Sequence, residues 1–277
     1  MSRELPRLPE PLPGPVVDTH CHLDATRDYS GLEPQRALED AARVNVNRLV
    51  EVGCDVESSR WAVEAAQRWE SVVASVAMHP NDAARLGREA LPAALAEIER
   101  LAGEPRVRAV GETGLDFFRT RDAAGQAIQR DSFAAHIALA KTHDLTLVIH
   151  DRDAHSAVLD VLDAESPPER IVMHCFSGDA AFATQCLDRG AHLSFAGTVT
   201  FKANEHLRDA LRLAPRDRIV VETDAPYLTP MPFRGRPNAS YLIPHTARFM
   251  AEVLSVDLTE LCGMLDANAE AAFGGPW

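Results

Sequence analysis

Two kinds of side chain, imidazole and carboxylate, recur in this sequence directly after short apolar runs, and together they are what a divalent cation binds. The first run ends in Asp18-Thr19-His20-Cys21-His22. On an extended chain, side chains at i and i+2 share a face, so His20 and His22 point the same way with backbones about 6.5–7 Å apart, near enough to share one ion. Val110-Gly111-Glu112-Thr113-Gly114-Leu115-Asp116 sets Glu112 between glycines. An unpaired ionised carboxylate in a buried mouth is costly, cations supply the compensation, and its two oxygens can bridge ions about 3.5–4 Å apart as in two-metal hydrolysis. His150 and His174 each follow three apolar residues, and Val220-Val221-Glu222-Thr223-Asp224 places Glu222 and Asp224 on one face with Asp224 nearer the rim. Taken singly, one histidine on a strand is more often a hydrogen-bonded structural residue, His150 or His174 reads equally as structural or ligating, and Glu112 is an ordinary loop carboxylate; it is the set that is specific. Mixed imidazole and carboxylate donors suit Zn²⁺, Mn²⁺, Fe²⁺ or Ni²⁺ and, with more water retained, Mg²⁺.

Those residues need elements to bring them together. Apolar or β-branched runs recur at Val16–Thr19, Arg48–Val52, Val72–Ala77, Val107–Val110, Thr146–Ile149, Ile171–Met173, His192–Phe195 and Ile219–Val221. Helical patterns alternate with them at Glu33–Arg43, Glu57–Trp69, Leu91–Leu101, Ala123–His143, Ala154–Leu162, Ala180–Arg189 and Leu207–Leu213, and Pro244–Leu254 and Leu258–Phe273 follow the last run. Alternation of this kind requires right-handed crossovers and a parallel sheet, and eight repeats predict an α/β fold of the (β/α)₈ TIM-barrel type over residues 16–277, with a doubly wound open sheet as the rival. The unusual polar residues fall at the C-terminal ends of the runs, where barrel enzymes carry their chemistry.

Bulk properties narrow the classes. The 277 residues suit one barrel domain, and no run approaches the roughly 20 apolar residues of a membrane span. Residues 1–15 hold five prolines without the apolar stretch of a signal peptide and read as an extended tail. The 5 cysteines are scattered without a C-x-x-C pair, which fits a reducing cytoplasm. A net charge of −13 opposes broad coating of nucleic acid but leaves room for a local grip on a few phosphates, since screening limits repulsion to about 8–10 Å. No glycine-rich phosphate loop is present. Arg152, Lys202, Arg234 and Arg236 are the basic residues expected at the rim, whereas Arg119 and Arg121 read as readily as solvated charge and are not assigned.

The strings DTHCHLD, GETGLDF, VIHDRDA, HCFSG, FAGTVTFK and ETDAPYL, in this order across residues 18–228, resemble the motifs of the TatD family of metal-dependent deoxyribonucleases. The resemblance implies an amidohydrolase-like barrel with two divalent ions (Mg²⁺, Mn²⁺ or Zn²⁺), the first held by His20, His22, Glu112 and Asp224 and the second by Glu112, His150 and His174. It implies phosphodiester hydrolysis of DNA, at single strands or 3′ ends with 3′–5′ polarity, and no obligate protein partner. Asp224 is the candidate to accept a proton from the attacking water, or is purely a ligand. His79 matches the family's G-x-H-P element and is expected to touch substrate phosphate, or else to be a structural residue before its proline; Arg152, Lys202 and Arg236 are expected to help, and Asp116 and Phe117 to shape the cleft, the ring stacking on a base. The chain departs from the family where Ala77 replaces the glycine of G-x-H-P and where Arg236-Pro237-Asn238-Ala239-Ser240 replaces R-N-x-P, both at positions that grip substrate. A second enzymatic reading keeps the metals but hydrolyses amides, lactones or phosphotriesters; a third is a metal-binding scaffold without turnover.

Overall fold

The computed structural model describes residues 4–277. In chain order the strands are β1 (Val16–Cys21), β2 (Val46–Val52), β3 (Val72–Val76), β4 (Val107–Asp116), β5 (Thr146–Arg152), β6 (Ile171–Met173), β7 (His192–Phe195) and β8 (Ile219–Val221). The helices are α1 (Leu23–Ser30), α2 (Pro34–Ala42), α3 (Val56–Arg68), α4 (Pro80–Ala102), α5 (Ala123–Thr142), α6 (His155–Glu165), α7 (Ala180–Leu187), α8 (Glu205–Leu213), α9 (Ile243–Leu254) and α10 (Leu258–Ala272). Each strand pairs in parallel with the next, from β1 through β8, giving a nearly closed (β/α)₈ barrel rather than an open sheet.

Small β-branched residues make the interior possible. Val50, Val52, Val73, Ala109, Val148, Val172 and Val220 pack as one cluster with Phe273, which is fully buried just past α10, while larger aliphatic and aromatic residues fill the layer between strands and helices. Thr146, at the start of β5, donates its hydroxyl to the carbonyl of Ala272, so α10 ends at the N-terminal mouth of the barrel and leaves the opposite mouth open.

The seam between β1 and β8 is closed by side chains as much as by backbone. The backbone contributes one bridge, Cys21 with Ala225. Asp18, fully buried, accepts from the Thr223 amide at 2.9 Å and from its hydroxyl at 2.6 Å, and Thr19 Oγ1 donates to the Val221 carbonyl at 3.0 Å. Burial pushes the Asp18 carboxyl up to about 7. Just above, the Asp224 amide donates to the His20 carbonyl at 2.9 Å and the His22 amide to the Ala225 carbonyl at 3.0 Å. Closing the barrel therefore brings the first and last predicted ligands together.

Three departures from the sequence expectations concern local geometry. A helix, α1, starts at Leu23, because the buried Glu51 carboxylate receives the Leu23 amide at its N-terminus. The fourth helix begins eleven residues earlier than periodicity suggests and kinks at Gly87, which sits at φ 81°. The N-terminal tail, whose residues 1–3 lie outside the described residues, is irregular but docked. Leu12 is buried, its amide bonds to the Val44 carbonyl, Tyr241 donates to the Pro6 carbonyl at 2.7 Å, and Arg248 reaches the carbonyls of Glu10 and Pro11. Arg236 binds the carbonyls of Glu4 and Leu5, both at 2.9 Å. Its charge is spent on fastening the tail, so Arg236→Ala is expected to destabilise the fold by about 1–3 kcal/mol and to open residues 4–15 to protease; an unchanged urea midpoint and cleavage rate would contradict that assignment.

Candidate metal centre

Glu112 occupies the middle of the open mouth. Two glycines let its strand lie close against β5: a Cβ on Gly111 would come within 2.5 Å of Val148, and one on Gly114, at φ +130°, within 2.2 Å of the His150 carbonyl oxygen. With 5% of its surface exposed, Glu112 sends its two oxygens to different groups. Oε1 lies 3.7 Å from His20 Nε2 and 3.8 Å from His22 Nε2. Oε2 lies 3.1 Å from His150 Nδ1, 3.4 Å from His174 Nε2 and 3.9 Å from His79 Nε2. Asp224 completes the first group, 3.5 Å from His22 Nε2 and 4.0 Å from His20 Nε2. The donor atoms of His20, His22 and Asp224 lie within 4.8 Å of one another, as do those of His20, Glu112 and His174 and those of His79, Glu112 and His150.

The donors fit a cation better than they fit each other. His20 is fully buried, yet neither ring nitrogen has a hydrogen-bond partner. Its distances to Glu112 and Asp224 are too long for hydrogen bonds, but donors sharing an ion at about 2.0–2.2 Å stand roughly 3–4 Å apart. His22 Nδ1 donates to the Val52 carbonyl at 2.8 Å, which turns Nε2 toward the group. His174 Nδ1 faces Glu222 Oε1 at 2.9 Å. Glu222 is fully buried and fixed by the Cys175 amide and the Ser194 hydroxyl. It is thus the outer partner that orients the imidazole of a candidate ligand, and not a companion to Asp224. The separation arises because Asp224 turns into the left-handed region at φ 55°, a strain that clusters at functional positions.

Electrostatics show the same pull toward positive charge. Burial opposes protonation of His150, but the hydrogen-bonded carboxylates of Asp116 and Glu112 prevail and push it up to about 10. Glu222 and Glu112 likewise raise His174 against burial. Burial opposes ionisation of Glu112, yet the surrounding histidines, His174 and His79 foremost, hold it well below the usual carboxylate range. His20 and His79 go the other way, lowered chiefly by burial, His79 to about 4.

Of the substrate contacts expected from sequence, His79 and Arg152 line the cavity, of about 660 Å³, that opens over Glu112. His79 Nδ1 accepts the Asn81 amide at the start of α4, and its backbone is held from behind by His136, whose Nε2 accepts the neighbouring Met78 amide. Asp116 is on the wall but only 2% exposed. Its oxygens take Asn81 Nδ2 at 2.8 Å and the Arg119 amide at 2.8 Å and face His150 Nε2 at 3.4 Å, so it positions His150 instead of meeting substrate. Phe117 is turned into the core, and the exposed ring is Phe118, with the Arg152 guanidinium 4.0 Å above it. Lys202 and Arg236 are absent from the cavity wall among the described residues, whereas Arg85, Arg119, Cys54 and Tyr227 line it. No spacing rule singled these out; Tyr227 carried a signal as part of the ETDAPYL string and Arg119 one from its place three residues beyond the GETGLD string.

A barrel with such a donor set at its C-terminal mouth defines a metal-dependent hydrolase. The chain belongs to the TatD family: the model of the TatD related DNases matches residues 17–274. It is 44% identical over 265 residues to the uncharacterized metal-dependent hydrolase TatD of Mycobacterium tuberculosis, covering 95% of this chain and 99% of that protein. The TatD homologue YJJV of Escherichia coli superposes with a TM-score of 0.86 at 25% identity, over 94% of this chain and 98% of that one. An uncharacterized amidohydrolase of Saccharomyces cerevisiae shares the fold, with a TM-score of 0.80 at 17% identity over 95% of this chain and 100% of that one.

Because Glu222 orients a ligand without belonging to either donor group, Glu222→Gln should weaken metal binding by about 10–100-fold, measured by chelator competition. An unchanged affinity would reduce Glu222 to a packing role.

Proposed function

We propose that this chain hydrolyses phosphodiester bonds of DNA, trimming single strands or 3′ ends with 3′–5′ polarity, and that it works with two divalent cations. The observation that carries the reading is the division of labour on Glu112, whose Oε1 faces His20 and His22 and whose Oε2 faces His150 and His174. His20, His22 and Asp224 would hold one ion and His150 and His174 the other, with Glu112 common to both; His79 stands beside the second group. Bound there, such ions would supply Lewis acidity, polarising a phosphoryl oxygen and acidifying water.

The protein's own side chains do the rest. Asp224 is the more exposed of the two carboxylates in the donor set, with 15% of its side chain exposed against 7% for Glu112. It is therefore the carboxylate that reaches an incoming water and can take its proton. Arg85, Arg119 and Arg152 bring positive charge to the cavity wall, opposing the overall −13 where a phosphate must enter. Phe118 and Tyr227, 42% and 54% exposed, offer flat faces on which bases stack without regard to sequence. No helix among the described residues is long and apolar enough to cross a membrane, and all described cysteines are free, which supports a cytoplasmic site of action.

Linear single-stranded DNA tested beside lactones and phosphotriesters, with Mg²⁺, Mn²⁺ and Zn²⁺, separates this reading from the other hydrolase chemistries. We expect metal-dependent release of nucleotides from DNA, abolished by chelation, and a fall in kcat of about 10²–10⁴-fold in Asp224→Asn. Turnover of a lactone or phosphotriester with DNA left intact would transfer the site to the alternative substrate class.

A further inference from the structure

One donor at the centre is not accounted for by the six side chains assigned to the metals. Cys54 follows β2 at the open mouth, and its Sγ lies 3.4 Å from Glu112 Oε1. The sulfur, His22 Nε2 and the Glu112 oxygen fall within 4.8 Å of one another, on the Oε1 side that also holds His20, whose buried ring nitrogens are both unpartnered. An ion bonded at about 2.3 Å to sulfur and about 2.0–2.2 Å to a carboxylate oxygen, at the roughly 90–120° angles of a five-donor centre, separates those atoms by about 3.1–3.8 Å. The observed spacing falls within that range.

The position is built and rigid. The Cys54 amide is bonded to Ser58 Oγ at 2.9 Å, within the capping box that starts α3, and its carbonyl accepts the His79 amide at 2.7 Å. Gly53 before it lies so close under α3 that a Cβ there would sit 2.3 Å from the Ser59 Cα. Backbone anchors on both sides leave the side chain directed at the cavity it lines. The other sulfurs differ: Cys21 points to the Val50 carbonyl and Glu51, Cys186 and Cys262 are buried in the core, and Cys175 borders a neighbouring cavity.

We propose that Cys54 is a ligand of the cation held by His20, His22 and Asp224, making that half of the centre a thiolate site. The thiol proton leaves to solvent as the sulfur takes the ion. The inference rests on the metal-binding reading above and adds selectivity to it. A soft sulfur among imidazoles and carboxylates favours Zn²⁺ and Co²⁺ over Mg²⁺ and Mn²⁺ at this position, while the sulfur-free Oε2 side keeps no such bias.

Cobalt reports ligands directly. The full chain, stripped of metal and titrated with Co²⁺, should show visible ligand-field bands from bound cobalt together with a near-ultraviolet thiolate-to-cobalt charge-transfer band. Cys54→Ala and Cys54→Ser should lose the second and keep the first, Cys175→Ser should keep both, and Zn²⁺ affinity should fall roughly tenfold or more in both Cys54 variants with Mn²⁺ affinity little changed. In the unaltered protein, Zn²⁺ should also slow alkylation of Cys54 by iodoacetamide, read by peptide mass spectrometry. Ligand-field bands without the charge-transfer band, or a charge-transfer band that survives Cys54→Ala, would overturn the inference and leave the metal centre standing. Failure to bind cobalt at all would remove both.

Discussion

A single carboxylate buried at the mouth of a barrel sets the terms for everything around it. Glu112 has almost no contact with solvent, and taking an ionised carboxylate out of water costs several kcal/mol even after relaxation. It is tolerated because histidines on three separate strand ends, and one just past β3, converge on its oxygens. Without a cation, part of the compensation is protonic, which is why His150 and His174 are pushed upward. A divalent ion would provide the same positive charge more compactly, and its arrival would require those imidazoles to release their protons, so binding would strengthen as pH rises. The same groups would thus serve as proton holders in one state and, on the proposed reading, as ligands in the other.

The fold is arranged to keep those groups in register. Candidate ligands come from both edges of the β1–β8 seam, and the bonds that close the seam, Asp18 to Thr223 and the Asp224 amide to the His20 carbonyl, lie directly beneath the site. Outer partners complete the support: the Val52 carbonyl for His22, Glu222 for His174, and Asp116 with its Asn81 and Arg119 contacts for His150. A site held by rigid strand ends and a hydrogen-bonded outer layer costs little to organise when a cation or substrate arrives.

Much of this was legible in the sequence. All eight strands occur where short apolar runs predict them, because a strand buried on both faces must be written as such a run. The His20–His22 pair, Glu112, His150, His174 and Asp224 converge as their positions after those runs imply. What was hidden depends on where a side chain turns once the strand has ended. Asp116 and Glu222 are acids near the rim that face inward to histidines, which no periodicity reveals. Phe117 and Phe118 are adjacent, and only the turn after β4 decides which ring meets solvent. Arg236 was drawn away by carbonyls of a tail that reads only as extended, and Cys54 carries no motif because its proposed role rests on distances between separate strands.

On the proposed reading, two groups of donors on either side of Glu112 each hold an ion. Anomalous-scattering data from metal-loaded crystals, combined with elemental analysis of the same sample, report number, identity and position together. Two anomalous peaks per chain about 3.5–4 Å apart are expected, one against His20, His22 and Asp224 and the other against His150 and His174. One peak alone, or peaks remote from Glu112, would contradict that reading.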